Sequence, residues 1–392
     1  MATPTTSQRV MRPTWVEVNL TALRHNFRVL QERVAPKATV CCVVKADAYG
    51  HGAIECARAL EEAGATWFAV TSTEEGIALR KAGINGRILL LTGFWRGDED
   101  EAVLHDLTPA VWAWWQIEAL EKAFAELGWR VHGKIPVHLK IDTGMSRLGL
   151  QPKDLPQFLD SLHRARRVRL EGVFSHLAES EVVDAPSVDE QIARFDQCLA
   201  EIRAAGQQPA FVHIANTAAV INRESSWYNM VRPGLALYGY YLPPVSCGDG
   251  QRVGGHELPV EPVLSWRTRI IAMKDVPAGA AIGYGGAYVT PAAACIAILA
   301  VGYADGLSRL LSSRGRVIVR DTYAPIIGNV AMDLTTVDIT GIPGVRIGDE
   351  VTIIGSTAQC TISAWEHAEL SASIPYEVLC SIGRRVPRVY VE

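Results

Sequence analysis

The 392-residue chain has no apolar run near the ~18 residues that a membrane span needs, and its Thr- and Pro-rich first thirteen residues lack the apolar core of a signal peptide. Basic charge is not in excess. With a formal net charge of -4 and a pI near 6.2, nothing favours nucleic acid or an anionic membrane as partner, and small molecules become the default ligands. The one basic cluster, His163-Arg164-Ala165-Arg166-Arg167-Val168-Arg169, sits where a helix should end, and cations suit that end of the helix dipole. There is no Cys-x-x-Cys and no His-Glu-x-x-His, so no metal site is indicated. The eight cysteines (Cys41, Cys42, Cys56, Cys198, Cys247, Cys295, Cys360, Cys380) are scattered without a zinc or disulfide spacing, and read as buried small apolar residues in a reducing compartment. The cytoplasm is the expected location. No internal repeat or low-complexity stretch stands out.

What is present is an ordinary globular balance, 48% hydrophobic and 20% charged, enough for two cores. Residues 15–18 alternate like a short strand, and Asn19-Leu20-Thr21 caps an amphipathic helix carrying Leu23, Phe27 and Leu30. Short apolar runs then alternate with helical patterns. Strands are expected over 39–44, 67–71, 87–91, 109–113, 135–141, 169–174, 210–214 and 230–238, with helices such as 53–63, 74–82, 116–127 and 189–204 between them. Eight βα units suggest an N-terminal (β/α)8 TIM-like barrel, preferred over a doubly wound open sheet, which would read similarly. After Tyr241 the texture changes. Pro243-Pro244 opens a Gly- and Pro-rich stretch, and beyond Pro262 β-branched runs (263–272, 294–301, 317–320, 335–339, 350–354) are separated by turns, with one helical patch at 363–370. The expected organisation is a flexible tail over 1–13, an α/β barrel over 14–258 and a mostly β C-terminal domain over 259–392.

In such a barrel the site lies at the C-terminal ends of the strands, and several unusual polar residues fall there. Lys45 follows the first strand, Lys140 ends the fifth with Arg147 in its loop, His176 follows the sixth, Asn216-Thr217 follow the seventh, and Arg232 is placed ahead of the last. A lysine ending a buried strand is costly unless it pairs, deprotonates or reacts, and a desolvated amine suits imine chemistry. A salt bridge to Asp47 is the structural alternative, and position alone does not separate the two. Tyr49, Gly50 and Gly52 form either a ligand-approaching turn or a plain βα turn. Arg232-Pro233-Gly234 is a turn whose Gly234 and Leu235 N–H groups suit a phosphate. Gly283-Tyr284-Gly285-Gly286 is not a dinucleotide loop, because its β-rich flanks and Pro291 contradict the strand–turn–helix context. His138 and His213, inside apolar strands, read as satisfied core residues.

The run Val44-Lys45-Ala46-Asp47-Ala48-Tyr49-Gly50-His51-Gly52 resembles the cofactor-lysine motif of the bacterial alanine racemases, the pyridoxal-phosphate enzymes of fold type III. So do, in the family's order, residues 140–149, Phe174-Ser175-His176, Ala215-Asn216-Thr217-Ala218, Val231-Arg232-Pro233-Gly234, Gly283-Tyr284-Gly285, residues 301–306, Ala331-Met332-Asp333 and Pro375-Tyr376-Glu377. The resemblance covers the chain from about Trp15 to its end.

It implies a pyridoxal 5'-phosphate-dependent, two-base interconversion of L- and D-alanine, supplying D-alanine for cell-wall peptidoglycan, by a homodimer with shared active sites. Lys45 would anchor the cofactor covalently and act as one base; Tyr284 from the partner subunit would be the other, on the opposite face of the α-carbon. Arg232 would face the pyridine nitrogen and, being unable to give up its proton readily, leave the ring a weaker electron sink. His176 would link Arg232 to the tyrosine. Tyr49, Asn216, Thr217, Tyr376, Gly234 and Leu235 would complete cofactor binding. Arg147, Met332, Asp333 and Tyr303 would serve the substrate. Lys140 would be carbamylated, turning a cation beside Arg147 into an anion. The chain departs from the family pattern at Asn329, often arginine, at Gly383-Arg384, where tyrosine is frequent, and over 177–181. These departures bear on specificity and rate. The alternatives are a serine or broad-specificity racemase and a non-catalytic pyridoxal-phosphate protein. Tyr376 favours a small methyl-bearing substrate, while Tyr284 and Met332-Asp333 lie in a second domain that a bare carrier barrel lacks. A fold-related decarboxylase would put an acidic residue where Arg232 stands.

Overall fold

The computed structural model describes residues 12–254 and 257–392, so the expected tail lies, up to residue 11, outside the described residues. The chain divides into two compact units. One comprises Leu23–Ala48 and Ala53–Glu261; the other collects the N-terminal segment through Ala22, Tyr49–Gly52 and Pro262–Glu392.

The first strand, β1 (Thr14–Asn19), leads into α1 (Leu20–Val34), whose start is capped by Asn19 Oδ1 accepting the Ala22 N–H at 2.8 Å. Eight strands then build the first unit: β2 (Thr39–Val43), β3 (Trp67–Val70), β4 (Arg87–Leu90), β5 (Thr108–Val111), β6 (Ile135–Lys140), β7 (Val168–Phe174), β8 (Phe211–His213) and β9 (Met230–Val231). They form one sheet in the order β8-β7-β6-β5-β4-β3-β2-β9, all ladders parallel. Between β8 and β9, Asn229 closes the gap: its Oδ1 accepts from Val212 N at 2.7 Å and its N–H reaches Val212 O at 3.4 Å. The sheet is thus a nearly closed TIM-like barrel, as the eight-unit pattern predicts. Parallel strands covered on both faces need unbroken apolar runs, and β3 and β5 are buried at every position.

The crossovers carry α2 (Ala53–Glu62), α3 (Thr73–Lys81), α4 (Glu99–Leu104), α5 (Trp114–Leu127), α6 (Leu155–Arg164), α7 (Pro186–Ala204) and α8 (Thr217–Asn222). The basic cluster lies at the end of α6: the Arg164 guanidinium sits 5.9 Å from the Trp114 ring, Arg167 lies 4.9 Å from Phe124, and Arg169 is 2.7 Å from Glu171. Three of its arginines thus have local partners. Two expectations need correction. The last barrel strand is two residues long, not nine, because Pro233 has no N–H to continue a ladder; Arg232 therefore follows it instead of preceding it. And Cys247 and Cys380 are exposed and Cys295 is half-buried, so only the other five cysteines behave as core residues.

The second unit is built on β10 (Leu264–Val276), β11 (Ala281–Ile282), β12 (Tyr288–Val289), β13 (Ala294–Leu299), β14 (Arg316–Val319), β15 (Thr322–Pro325), β16 (Thr335–Asp338), β17 (Glu350–Ser356), β18 (Thr361–Ile362) and β19 (Arg388–Val391). Its main sheet runs β15-β14-β17-β10-β1-β19, with β13 and β16 joined through the long β10. Strand β1 belongs here, antiparallel to β10 and parallel to β19. Alternation in 15–18 reveals a strand but cannot name its partner. Thr14 anchors it in the core, its Oγ1 2.7 Å from Thr268 Oγ1 and 2.6 Å from Ala300 O. Among the described residues no helix is long and apolar enough to cross a membrane.

Candidate active site

Lys45 leaves the end of β2, and the backbone then does something that sequence alone does not announce. Ala46, Asp47, Ala48 and Tyr49 all take φ of 52–54°, followed by Gly50 at 83°, a left-handed helical turn built mainly from non-glycine residues. Each such residue costs roughly 1–2 kcal/mol relative to the right-handed form. The turn persists because it is braced. Glu75, whose carboxylate also closes the capping box of α3, accepts the Ala46 N–H at 2.7 Å. Asp47 Oδ1 accepts the Ala53 N–H at 2.8 Å, so this carboxylate secures the turn. Strain held this firmly beside a lysine is the kind concentrated at working sites.

Lys140 ends β6, 6% exposed, its Nζ 3.3 Å from Leu91 O and 5.3 Å from the Phe174 ring. The chain then loops out and returns, Leu150 N donating to Lys140 O at 2.8 Å and Asp142 N to Leu150 O at 3.0 Å. Asp142 organises this loop, accepting from Gly144 N, Ser146 N and Gln151 Nε2. At Gly149 a Cβ would stand 2.5 Å from Asp142 N, so only glycine permits the return. Arg147 is carried at the loop's head.

His176 follows β7, its loop tied by the buried Gln191, which donates to His176 O at 3.1 Å and accepts from Ala178 N at 2.9 Å. Asn216 caps α8, accepting from Ala219 N and donating to Ser180 Oγ at 2.7 Å. Thr217 Oγ1 accepts the Gly234 N–H at 3.0 Å, which joins the turns after β8 and β9. Leu235, fully buried, opens a short helical turn. Arg232 is 4% exposed. Its guanidinium donates to Ser175 O at 2.7 Å, to His213 Nδ1 at 2.5 Å and, at a longer 3.4 Å, toward His176 Nδ1.

Electrostatically these residues are one neighbourhood. Burial, then Arg232, Arg147 and Lys45, push the Lys140 amine down to about 8, with Asp142 opposing. Burial and the same cations hold His176 well below the usual imidazole range. Burial lowers Arg232 to about 10, leaving it charged at neutral pH. Four basic side chains thus act on one another at the barrel mouth, with Asp142 opposing them at Lys140. That donor set fits a ligand carrying a phosphate, a carboxylate or both, and it fits pyridoxal phosphate, with an amine for its aldehyde and a guanidinium that only donates for its ring nitrogen. Among the described residues, no group of three or more His, Cys, Asp or Glu side chains could hold a metal ion.

The remaining candidates lie on the second unit. Tyr284 is at the tip of the β11–β12 hairpin, 77% exposed, flanked by Gly283, Gly285 and Gly286 at φ 71°, 69° and 58°. Those glycines serve the hairpin tip. Asn329 Nδ2 donates to Tyr284 O at 3.0 Å and ties the tip to the next loop. Tyr303 and Met332 are drawn together, Tyr303 N donating to Ala331 O and Ala304 N to Met332 O, over Gly302, where a Cβ would stand 2.3 Å from Ala331 O. Beneath them is Asp305, fully buried, accepting from Arg385 Nε at 2.8 Å, Arg12 Nη2 at 2.9 Å and Gly302 N at 2.9 Å. Arg385 also pairs with Asp333 at 2.8 Å. The Tyr49 and Tyr376 rings pack 5.9 Å apart.

Sequence reasoning had not marked Glu75, Gln191, Asp305 or Arg385. Glu75 was findable, since Ser72-Thr73-Glu74-Glu75 is a capping box in plain sight, and Asp305 lies in the 301–306 stretch and accepts locally from Gly302 N; Gln191 and Arg385 act through tertiary hydrogen bonds with no local signature.

A barrel with a lysine and a buried arginine at its strand ends, followed by a β unit presenting an exposed tyrosine, defines a two-domain barrel enzyme for a small anionic ligand. Comparison narrows this. The family described as alanine racemase, N-terminal domain, matches residues 18–242, and alanine racemase, C-terminal domain, matches 263–390. An alanine racemase of Citrifermentans bemidjiense is 40% identical over 97% of this chain and 99% of its own. Among solved structures, the alanine racemase from D-cycloserine-producing Streptomyces lavendulae superposes with a TM-score of 0.88 at 35% identity, covering 97% of each chain. The Bartonella henselae alanine racemase with covalently bound pyridoxal phosphate superposes with a TM-score of 0.83 at 30% identity, covering 97% of this chain and 99% of its own. The chain belongs to the alanine racemase family, and is by that membership an amino-acid racemase.

Proposed function

We propose that the chain interconverts L- and D-alanine with pyridoxal 5'-phosphate attached to Lys45, in the cytoplasm, as a homodimer, and that its D-alanine serves peptidoglycan. The observation that carries this is the barrel mouth itself: Lys45, Arg147 and Arg232 all acting on the Lys140 amine, with Arg232 buried and held by acceptors only. When bound, the cofactor supplies delocalisation of the negative charge left on the α-carbon. The protein's share is placement and proton transfer. Thr217 and the turn at Gly234-Leu235 hold the phosphate, with Asn216 fixing the start of α8 and the hydroxyls of Tyr49 and Tyr376 as further donors. Arg147 and the backbone at Met332 hold the substrate carboxylate, and Tyr303 and Asp333 shape its surroundings. Two donors on one carboxylate fix the direction of the α-C–H bond.

Lys45 Nζ removes or returns the α-proton on one face and Tyr284 Oη on the other. Inversion requires two such groups on opposite faces. Because Tyr284 stands exposed at a hairpin tip, we assign it to the site of the partner subunit, with His176 linking it to Arg232. A Lys140 amine lowered to about 8 has a reactive neutral fraction at physiological pH. Its lone pair adds to the carbon of CO2 with loss of one proton, giving a carbamate whose negative charge offsets Arg147. An intact mass without the added CO2, together with density for a bare amine, would remove that element alone.

The test is to supply the purified protein with pyridoxal phosphate and L-alanine or L-serine and follow the D-isomer. D-alanine is expected to form well ahead of D-serine, and Lys45→Ala to abolish it. Wild-type protein that forms no D-alanine contradicts the proposal.

A further inference from the structure

The barrel interior holds a polar chain that the proposed reaction does not use. Arg232 donates to His213 Nδ1 at 2.5 Å, and His213 Nε2 lies 2.8 Å from His138 Nδ1. His138 Nε2 faces Glu171 Oε2 at 3.7 Å, too long for a hydrogen bond but within electrostatic reach. Glu171 is clamped by Arg87 at 2.5 and 3.1 Å and by Arg169 at 2.7 Å. Both imidazoles are fully buried, Glu171 is 5% exposed, and burial keeps both rings neutral.

The directions in this chain are forced. A guanidinium has only donors, so His213 Nδ1 must accept. A neutral ring then carries its proton on Nε2, which donates to His138 Nδ1. His138 in turn carries its proton on Nε2, aimed at the carboxylate. Every donor points away from Arg232 and toward Glu171. Had His213 taken the other tautomer, two donors would face each other across 2.5 Å.

The fold is adapted to this arrangement. Strands β6 and β7 slip register between Val137↔Leu170 and His138↔Gly172, leaving Glu171 as the bulged residue. Gly172 makes room for the ring, since a Cβ there would stand 2.5 Å from His138 Nδ1. The Phe174 ring stacks on His213 at 4.8 Å and 3°, and Phe211 lies nearly parallel to His138 at 6.1 Å and 21°.

We propose that His138 and His213 form a tautomer lock, two neutral imidazoles oriented by Glu171 that present Arg232 with a permanent acceptor and fix its guanidinium at the barrel mouth. They are positioning residues. The lock stands on geometry alone; its consequence for the reaction rests on the reading that Arg232 faces the cofactor ring.

The holoenzyme, labelled with 15N-histidine, tests the lock directly. His213, identified by the signal lost in His213→Asn, is expected with its proton on Nε2 and no titration between about pH 6 and 9. A proton on Nδ1, or an imidazolium in that range, overturns the proposal whether or not the protein racemises anything. The consequence is read separately, from kcat and from the pH dependence of the bound cofactor's visible absorption. His138→Leu should lower kcat roughly tenfold or more with little change in KM, the scale of one buried donor left without its partner, and should shift the absorption profile. His138→Asn, whose Oδ1 replaces Nδ1 as acceptor, should recover most of the loss and the wild-type profile. A Leu variant matching wild type in both, or an Asn variant as impaired as Leu, overturns the positioning role. Should the Leu variant not fold, the wild-type tautomer and the Asn variant still decide.

Discussion

Arg232, at the barrel mouth, is 4% exposed and held by a carbonyl and an imidazole; Tyr284, on the second unit, is 77% exposed and held through its backbone carbonyl. The barrel buries Arg232 and Lys140 and so sets the directions of these two groups, while Arg147 stands exposed in its loop. The second unit fixes only the position of a hairpin tip and leaves the side chain in the open. On the proposed function, the barrel would supply one half of a site and the hairpin a group for the partner subunit's.

Substitutions break the comparison at either end. Lys45→Ala removes both anchor and base, and should lower racemisation by at least about a thousandfold, measured as D-alanine formed. Tyr284→Phe should cost roughly a hundred- to a thousandfold, and α-hydrogen exchange with deuterated water should fail preferentially from one enantiomer. The melting temperature of this variant should match wild type, because the hydroxyl is exposed.

Acid should separate the regions by stability. In the barrel His138 is lowered from 6.5 and His176 and His213 lie well below it, and His367 in the second unit is lowered to about 4, in each case first by burial. Above about pH 6.5 these rings are neutral folded or unfolded. Below it the unfolded chain binds protons that the folded chain refuses, so stability falls with pH by about 1.4 kcal/mol per pH unit for each such ring. Glu171, opposed by its burial but held at about 2 against an ordinary 4.5 by the nearby His138 and by hydrogen bonds from Arg87 and Arg169, adds a loss in the same direction between those values. Denaturant midpoints across pH 7 to 5, read by hydrogen exchange, should show barrel strands weakening before the second sheet. Equal weakening would blur the contrast. The smallest effect is expected at Asn329→Ala, which removes one hydrogen bond to the tip; about 1 kcal/mol, or roughly fivefold in kcat, is the scale.

Much of this was legible from residues. Eight apolar runs at βα spacing gave the barrel, and their polar C-terminal ends gave Lys45, Lys140, Arg147, His176, Thr217 and Arg232 as candidates. Local pattern failed where the determinant was non-local. Residues 15–18 read only as a short strand, and its partners β10 and β19 stayed hidden because alternation carries no partner identity. The left-handed turn after Lys45 was invisible because Ala, Asp and Tyr do not signal positive φ; Glu75 and Asp47 impose it by accepting backbone N–H groups. His138 and His213 are core histidines as read, held by each other and Arg232 while His138 Nε2 faces Glu171 without a hydrogen bond, an arrangement that needs the bulge at Glu171 and the missing side chain at Gly172.

The division of labour between barrel and hairpin has one direct measurement. Lys45→Ala and Tyr284→Phe chains, each nearly inactive, are unfolded together in equal amounts, refolded with pyridoxal phosphate and assayed for D-alanine. If each site takes its lysine from one subunit and its tyrosine from the other, half the dimers are mixed and each mixed dimer holds one intact site, so activity should recover to about a quarter of wild type treated the same way. If lysine and tyrosine of a site come from the same chain, no mixed dimer contains an intact site. Activity that stays at the level of the two variants measured apart would contradict the account.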